Sequence, residues 1–348
     1  MSLESSFLPK RYFKIGYARS KNEEYSKFCN KYIEENYKFK QTSCLCKKNN
    51  DQPLSEVDRH GCKFKLVICK SCGLIRAKYY FDDISLDDFY TNHYRRIVGN
   101  DKITPIDFYQ QQKRESKKRW SFLKKSINQD LNNKFIIFDC GGGAGGNLDG
   151  FINRKNLYLS EYYEPYIEFA KSKGINTIKG GLKEFNKLNI KPNLIILSHV
   201  VEHWSNFDNE ITELIKCLLP NTYIYIEFPG IDSIKLGRRG YDFLGEIHNA
   251  HIYYFASYVF INLLNRRGFK CLVHTAEFYG LFKYSSKKTD IINYYHEVRK
   301  DLIKAEKKRL LELVDRKSKF IQKILKKILP RKLIRMLKKI KGDPPKFV

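Results

Sequence analysis

The sequence lacks any long hydrophobic run. Its 348 residues contain no uninterrupted stretch of about 18 apolar side chains, close to the length that a membrane-spanning helix needs. The opening segment, MSLESSFLPKRYFKIGYARS, also lacks the apolar core of a secretion signal. These absences predict a cytoplasmic chain that does not span a membrane. Internal repeats and low-complexity tracts are absent too, and the 42% hydrophobic composition favours a folded core.

Acidic residues are scarce relative to basic ones. The chain has 65 Lys and Arg against 38 Asp and Glu, which gives a net charge of +27 at pH 7. Such an excess favours an anionic partner, whether nucleic acid, an anionic membrane surface or an acidic polymer. The nine cysteines are an odd number without a secretion signal, so they predict free thiols or a metal site rather than a disulfide framework.

Composition divides the chain into five segments. Between 134 and 282 short apolar strands alternate with helical stretches, which predicts an α/β fold with a parallel sheet. The predicted strands are 134–139, 156–161, 175–180, 193–198, 222–228 and 270–278. The segments are an N-terminal arm (1–40), a cysteine segment (41–95), a connecting helix (96–130), an α/β domain (131–285) and a basic helical tail (286–348).

A glycine-rich loop follows the first predicted strand, in FIIFDCGGGAGGNLDGF. The spacing of Gly141, Gly143 and Gly146 satisfies G-x-G-x-x-G, which by itself indicates a dinucleotide site. Asp139, Gly141, Gly143 and Gly145 also satisfy the longer pattern D-x-G-x-G-x-G. An acid beside the loop suits a ligand with an ammonium and a sulfonium better than one with phosphates.

This loop resembles the first motif of the class I S-adenosylmethionine (SAM)-dependent methyltransferases. The resemblance implies a Rossmann-like fold with SAM as cofactor, bound by Asp139 and the three loop glycines. It also implies that Glu161, at the end of the second strand, holds the ribose, and that Ser198 and His199 in LSHVVEHW line the cofactor site. Two alternatives are an NAD-type site and a glycine turn that only packs a helix on the sheet.

Four cysteines before the sheet have the spacing of a metal site. Cys44-x-Cys46 and Cys69-x-x-Cys72 form two pairs, and four thiolates are the usual ligands of structural zinc. The segment resembles the N-terminal zinc-binding segment of bacterial sugar-modifying and polysaccharide-cluster methyltransferases. The alternatives are a metal-free version with reduced cysteines, and a site in which Cys62 replaces one ligand.

Histidines near the strand ends are the candidates for acid–base chemistry. The segment GEIHNAHIYYFA resembles Y-H-E-H-x-x-Y-F of antibiotic sugar C-methyltransferases, with His251, Tyr254 and Phe255 matching and Glu246 and His248 displaced. We therefore predict His251 as general base, with His199 and Tyr254 as further catalytic residues. The alternative is a structural His251 that fixes its loop. His199 is expected to touch the SAM or acceptor pocket, and a metal at His199, Glu202 and His203 is a further alternative, with zinc or iron favoured over magnesium.

The basic tail has one apolar face at helical spacing over 318–341. Such a helix can lie on an anionic membrane surface, or dock on the domain or on a second subunit. Aromatic residues are nearly absent from the tail, which disfavours a nucleic-acid partner. The resemblance implies an enzyme that methylates a sugar or glycan precursor, near the inner membrane face. The alternatives are methylation of RNA or of a quinone-like molecule, and an inactive SAM-fold binding module.

Overall fold

The computed structural model describes residues 7–18, 22–94, 103–127, 135–151 and 154–328. The strands are β1 (Phe39–Gln41), β2 (Asp51–Val57), β3 (Lys63–Cys69), β4 (Ile75–Ala77), β5 (Tyr79–Phe81), β6 (Ile137–Cys140), β7 (Leu157–Glu161), β8 (Asn176–Lys179), β9 (Leu194–Ser198), β10 (Tyr223–Glu227), β11 (Tyr253–Tyr254), β12 (Phe269–His274) and β13 (Tyr279–Tyr284). The α-helices are α1 (Glu23–Lys27), α2 (Glu34–Asn36), α3 (Asp83–Asp88), α4 (Pro105–Ser126), α5 (Glu164–Ser172), α6 (Leu182–Asn186), α7 (Phe207–Cys217), α8 (Ser257–Asn265) and α9 (Tyr295–Ile328).

A seven-stranded sheet forms the centre of the α/β domain, in the order β8, β7, β6, β9, β10, β13, β12. The five strands from β8 to β10 are parallel, and β13 runs antiparallel to both of its neighbours. Strands β6 and β10 are buried along their whole length, as expected of parallel strands covered by helices on both faces. The predicted α/β class is therefore confirmed.

The last predicted strand is a hairpin. The prediction of a single strand over 270–278 is wrong, because β12 ends at His274 and pairs with the antiparallel strand β13. The chain reverses through a turn in which the backbone N–H of Thr275 donates to the carbonyl of Tyr279, and Phe278 adopts a positive φ of 59°. The turn contains neither Gly nor Pro, so the sequence gives no signal of it.

The cysteine segment and the α/β domain share a sheet. Strands β2, β3 and β4 form an antiparallel sheet, and β11, which follows β10 in the chain, pairs with the edge of β4. Tyr253 lies opposite Arg76, and Tyr254 lies opposite Ile75. The segment after β10 is thus fixed against the cysteine segment.

The N-terminal arm covers the same segment, a role that the sequence did not indicate. Arg11 forms ion pairs with Asp242 and Glu306, each over 2.7 Å. The hydroxyl of Tyr25, a buried residue, accepts a hydrogen bond from the backbone N–H of Asn249. Arm, cysteine segment and helix α9 therefore all brace the chain that follows β10.

Helix α9 packs through its first turns and then projects. Leu302 and Ala305 are buried, whereas Leu311 and Val314 are exposed. The predicted membrane-contacting segment 318–341 lies largely outside the described residues, so that contact stays a prediction. Among the described residues, the longest helices are too polar to cross a bilayer.

Candidate active site

The glycine loop lies at the point where the strand order reverses, between β6 and β9. In sheets of this kind ligands bind at the carboxyl ends of the strands beside such a point. Gly143 and Gly145 have positive φ values of 59° and 85°, a conformation that side chains other than glycine rarely adopt. The predicted loop therefore stands where a ligand is expected, in a backbone conformation that requires glycine.

Helix α4 crosses directly over the loop and accounts for part of its glycine content. The Gln112 side chain donates from Nε2 to the carbonyl of Gly142 and accepts at Oε1 from the N–H groups of Ala144 and Gly146, over 3.0 to 3.3 Å. A Cβ at Gly146 would lie 2.2 Å from the Tyr109 carbonyl oxygen. The absence of side chains in the loop therefore also lets the connecting helix approach it closely.

Asp139, at the end of β6, is wholly buried and only partly satisfied. Its Oδ2 accepts a hydrogen bond from Asn147 at 3.1 Å, whereas its Oδ1 has no hydrogen-bond partner within the described part of the chain. Burial raises the pKa of Asp139 to about 7, although the Arg119 charge opposes this shift. A ligand that carries an ammonium group fits this unsatisfied carboxylate, as the resemblance to SAM-dependent enzymes implies.

Glu161 turns back over the loop from the end of β7. One carboxylate oxygen accepts from the N–H of Gly143 at 3.1 Å, and the other accepts from the N–H groups of Tyr162 and Tyr163 at 2.8 and 3.0 Å. These bonds hold the carboxylate beside the loop, where a carboxylate can accept from both hydroxyls of a ribose. The predicted ribose acid and the predicted glycine loop are therefore brought together.

A buried arginine joins the ends of β9 and β10 to the short 3-10 helix that follows the glycine loop. Arg119 of α4 donates from Nε to Glu227 at 2.8 Å, from Nη1 to Asn147 at 2.8 Å and from Nη2 to the Ser198 hydroxyl at 2.9 Å. Although burial opposes ionisation, His199 and Arg119 lower the pKa of Glu227 to about 2. Sequence reasoning missed Arg119, because it stands in the uniformly charged run KRESKKRW, and only Ser198 was predicted.

His199 follows β9 in a strained backbone conformation, with φ at 56°. Its ring lies between two carboxylates, with Nδ1 3.4 Å from Glu202 and Nε2 3.6 Å from Glu227. Although desolvation opposes protonation, these carboxylates raise the pKa of His199 to about 10. The side chain is 53% exposed, so solvent screens part of this attraction.

A cavity of about 640 Å³ opens beside His199 at this edge of the sheet. Its lining combines charged side chains of both signs with apolar and aromatic ones, namely Arg114, Glu115, Lys118, His199, Glu227, Phe228, Ser233, Leu236, Arg238, Glu277 and Tyr279. Of the predicted catalytic residues, this lining contains His199 and neither His251 nor Tyr254. His199 and His251 nevertheless lie at the same end of the sheet, because both imidazoles lie within 4 Å of Oε1 of Glu202.

His251 and Tyr254 belong to the braced segment behind this cavity. The buried Tyr254 hydroxyl donates to the carbonyl of His248 at 2.8 Å and lies 3.0 Å from its N–H, so it holds that loop. His251 lies 3.9 Å from Glu202. Burial lowers the pKa of His251 well below its usual value, which keeps the ring neutral.

The four predicted cysteine ligands converge. Their sulfurs lie within 4.8 Å of one another, with Cys44 3.4 Å from Cys46 and 3.5 Å from Cys72, and Cys46 3.7 Å from Cys69. Sulfurs of a tetrahedral zinc site lie roughly 3.8 Å apart, so the buried set fits structural zinc. Cys62, the alternative ligand, lies instead beside Cys29 and Asp58.

Known proteins resemble the region that contains this site. A family model described as "Methyltransferase domain" matches residues 96–274, just over half of the chain. Among solved structures, magnesium protoporphyrin IX methyltransferase of Synechocystis with bound SAH is 17% identical, over 58% of this chain and 98% of that one, with a TM-score of 0.37. A SAM-dependent methyltransferase from Archaeoglobus fulgidus is 18% identical, over 54% and 75%, with a TM-score of 0.34. No curated protein sequence matches the chain.

The chain belongs to this methyltransferase-domain family. It is a class I SAM-dependent methyltransferase, and SAM is its cofactor. The predictions of enzyme class and cofactor are confirmed.

Proposed function

We propose that the enzyme methylates a sugar or glycan precursor that carries an anionic group, such as a nucleotide-linked sugar. The observation that carries this proposal is the cavity beside His199. Its carboxylates can accept hydrogen bonds from sugar hydroxyls, and the aromatic ring of Tyr279 can pack against a sugar ring. A hydroxyl-rich acceptor matches this mixed lining better than a flat apolar ring does.

Two cationic side chains at the cavity favour an acceptor that carries an anionic group. Arg114 and Lys118 lie one turn apart on α4, and both line the cavity. Neither forms an ion pair with any residue that the structure describes, so both are available to a ligand. Guanidinium and ammonium groups at one rim suit a phosphate or diphosphate.

The proposed SAM site retains the predicted cofactor residues except His199, which we assign to the acceptor, and gains two positioning residues. We infer that Asp139, Gly141, Gly143, Gly145, Glu161 and Ser198 contact SAM. Gln112 and Arg119 act as positioning residues, because they fix the loop and the Ser198 side chain. SAM supplies an electrophilic methyl group for in-line displacement, and the protein orients the acceptor against it.

His199 is the proposed contact to the acceptor oxygen, since its half-exposed ring lines the cavity. The prediction of His251 as general base stays untested, and His251 is not among the residues that line this cavity. We also propose that Cys44, Cys46, Cys69 and Cys72 bind one structural zinc, which stabilises the sheet that braces the segment after β10.

Isotope-labelled SAM and a panel of acceptors test this function. Protein is incubated with nucleotide-linked sugars, free sugars, lipid-linked glycans and RNA, and products are identified by mass spectrometry. We expect labelled methyl on a sugar that carries a phosphate. Transfer to RNA alone, or to free sugars as readily as to charged ones, would contradict the proposal.

A double variant tests the anionic rim. Arg114→Ala/Lys118→Ala should raise the acceptor KM roughly tenfold or more, because a charge-assisted contact is lost, while the SAM affinity stays near that of the wild type. Lys117→Ala is the matched control on the same helix, since Lys117 does not line the cavity. An equal rise of the acceptor KM in Lys117→Ala would contradict a specific role of Arg114 and Lys118, because loss of positive charge anywhere on the helix would then explain it.

A further inference from the structure

One carboxylate and two imidazoles meet behind the acceptor cavity. Glu202 and His203 lie in the short 3-10 helix Val201–His203 after β9, and His251 lies just before β11. One ligand atom from each of the three residues lies within 4.8 Å of the others. The residues come from two loops that follow the neighbouring strands β9 and β10.

Glu202 is the unusual member of this cluster. The residue is 1% exposed, and neither carboxylate oxygen has a hydrogen-bond partner among the residues that the structure describes. The nearest ionisable side chains are two imidazoles, with His199 Nδ1 3.4 Å and His251 Nε2 3.9 Å from Oε1 of Glu202. A buried carboxylate is strongly unfavourable without hydrogen bonds or a counter-ion. Neither imidazole forms a hydrogen bond with this carboxylate, so its two oxygens suit a metal cation.

The surroundings of His203 fix which nitrogen can bind an ion. Its Nδ1 lies 2.7 Å from the carbonyl oxygen of Ala250 and 2.9 Å from the hydroxyl of Tyr90. A carbonyl oxygen can only accept, so Nδ1 carries the proton and Nε2 keeps its lone pair. A backbone carbonyl behind the ring is a usual partner of metal-binding histidines.

We propose that Glu202, His203 and His251 bind a divalent metal ion of the zinc type. Two imidazoles and one carboxylate suit zinc, whereas magnesium prefers oxygen ligands throughout. Nitrogen and oxygen ligands of tetrahedral zinc lie roughly 3.3 Å apart, so the side chains draw slightly closer when the ion binds. In this set His251 takes the place that the sequence gave to His199.

The ion joins three parts of the protein. It links the loop after β9 to the loop before β11, and the Tyr90 hydroxyl ties the cysteine segment to the same site. The positive charge of the ion also lies beside the Glu202 carboxylate, which is next to His199 at the cavity. Three protein ligands leave a fourth coordination position open.

Metal content of matched variants tests the proposal. Wild-type protein is stripped with chelator, reloaded with zinc, dialysed and analysed for zinc per chain. Glu202→Gln and His251→Gln should each bind about one equivalent less than the wild type. His248→Gln is the control, because its ring packs against that of His251 but lies outside the cluster. A Glu202→Gln protein with the zinc content of the wild type overturns the proposal.

X-ray absorption at the zinc edge gives a second test that requires no variant. The reloaded wild type should show nitrogen or oxygen neighbours of zinc in addition to any sulfur from the cysteine cluster. A spectrum with sulfur neighbours alone, or a wild type that binds no zinc, overturns the site even where the variants fail to fold.

Discussion

Arg119 donates a hydrogen bond from Nε to Oε2 of Glu227 over 2.8 Å, and this ion pair joins helix α4 to the end of β10. Both side chains are at most 10% exposed. The helix that precedes the sheet is therefore part of the active-site framework, because the same guanidinium also reaches Asn147 and Ser198.

The first prediction concerns this pair. Arg119→Gln leaves the Glu227 carboxylate buried without its partner, and the free energy of unfolding should fall by about 3 to 5 kcal/mol. The double variant Arg119→Gln/Glu227→Gln removes both charges and should recover part of that loss, as measured by urea unfolding. Strictly additive losses would show that the two groups are not coupled.

The second prediction concerns pH. The folded pKa of Asp139 is about 7, against an ordinary value of 3.8, so the folded state binds this proton more tightly than the unfolded state does. Protonated Asp139 therefore contributes its full stabilisation when the pH is below the ordinary pKa of 3.8. This stabilisation is lost as the pH rises through the folded pKa of about 7. Between about pH 5 and pH 8, the free energy of unfolding of the wild type should fall by on the order of 2 kcal/mol relative to that of Asp139→Asn. Denaturant unfolding of both proteins checks this, and a constant difference would contradict it.

Local motifs led to the predicted cofactor residues. The glycine loop and Glu161 lie at strand ends, where short patterns specify both backbone conformation and chemistry. Gln112 and Arg119 were not predictable in this way, since their partners lie 28 or more positions away in the chain and their helix is rich in charged residues throughout. The shared sheet was missed because β11 contains only two residues, too few for any periodicity.

The cysteine cluster gives the third prediction. Cys69→Ser/Cys72→Ser should lose about one equivalent of zinc, together with thermal stability, because the ion contributes folding energy to the small sheet. Elemental analysis measures the loss. Cys217→Ser is the control, since that thiol is buried beside Asn186 and outside the cluster. Unchanged zinc in the double variant would favour the metal-free alternative.

The fourth prediction tests whether His199 or His251 acts on the acceptor. His199→Ala should lower kcat/KM about 10- to 100-fold through loss of one charged contact, and His199→Gln, which can still donate, should retain much of the activity. His274→Ala, an exposed residue of β12, is the control. If His199→Ala is nearly normal while His251→Ala falls by about 10²- to 10⁴-fold, the base lies at His251 as the sequence predicted.

Calorimetric titration of SAM into wild type and Glu161→Ala tests the central claim most directly. If SAM lies on the loops after β6 and β7, removal of this carboxylate leaves the ribose hydroxyls without their acceptor. The binding free energy of SAM should then weaken by about 1 to 3 kcal/mol, which raises Kd roughly 5- to 150-fold. Glu164→Ala, at the exposed start of α5, should bind SAM as the wild type does. An unchanged Kd for Glu161→Ala would place the cofactor elsewhere and contradict the account.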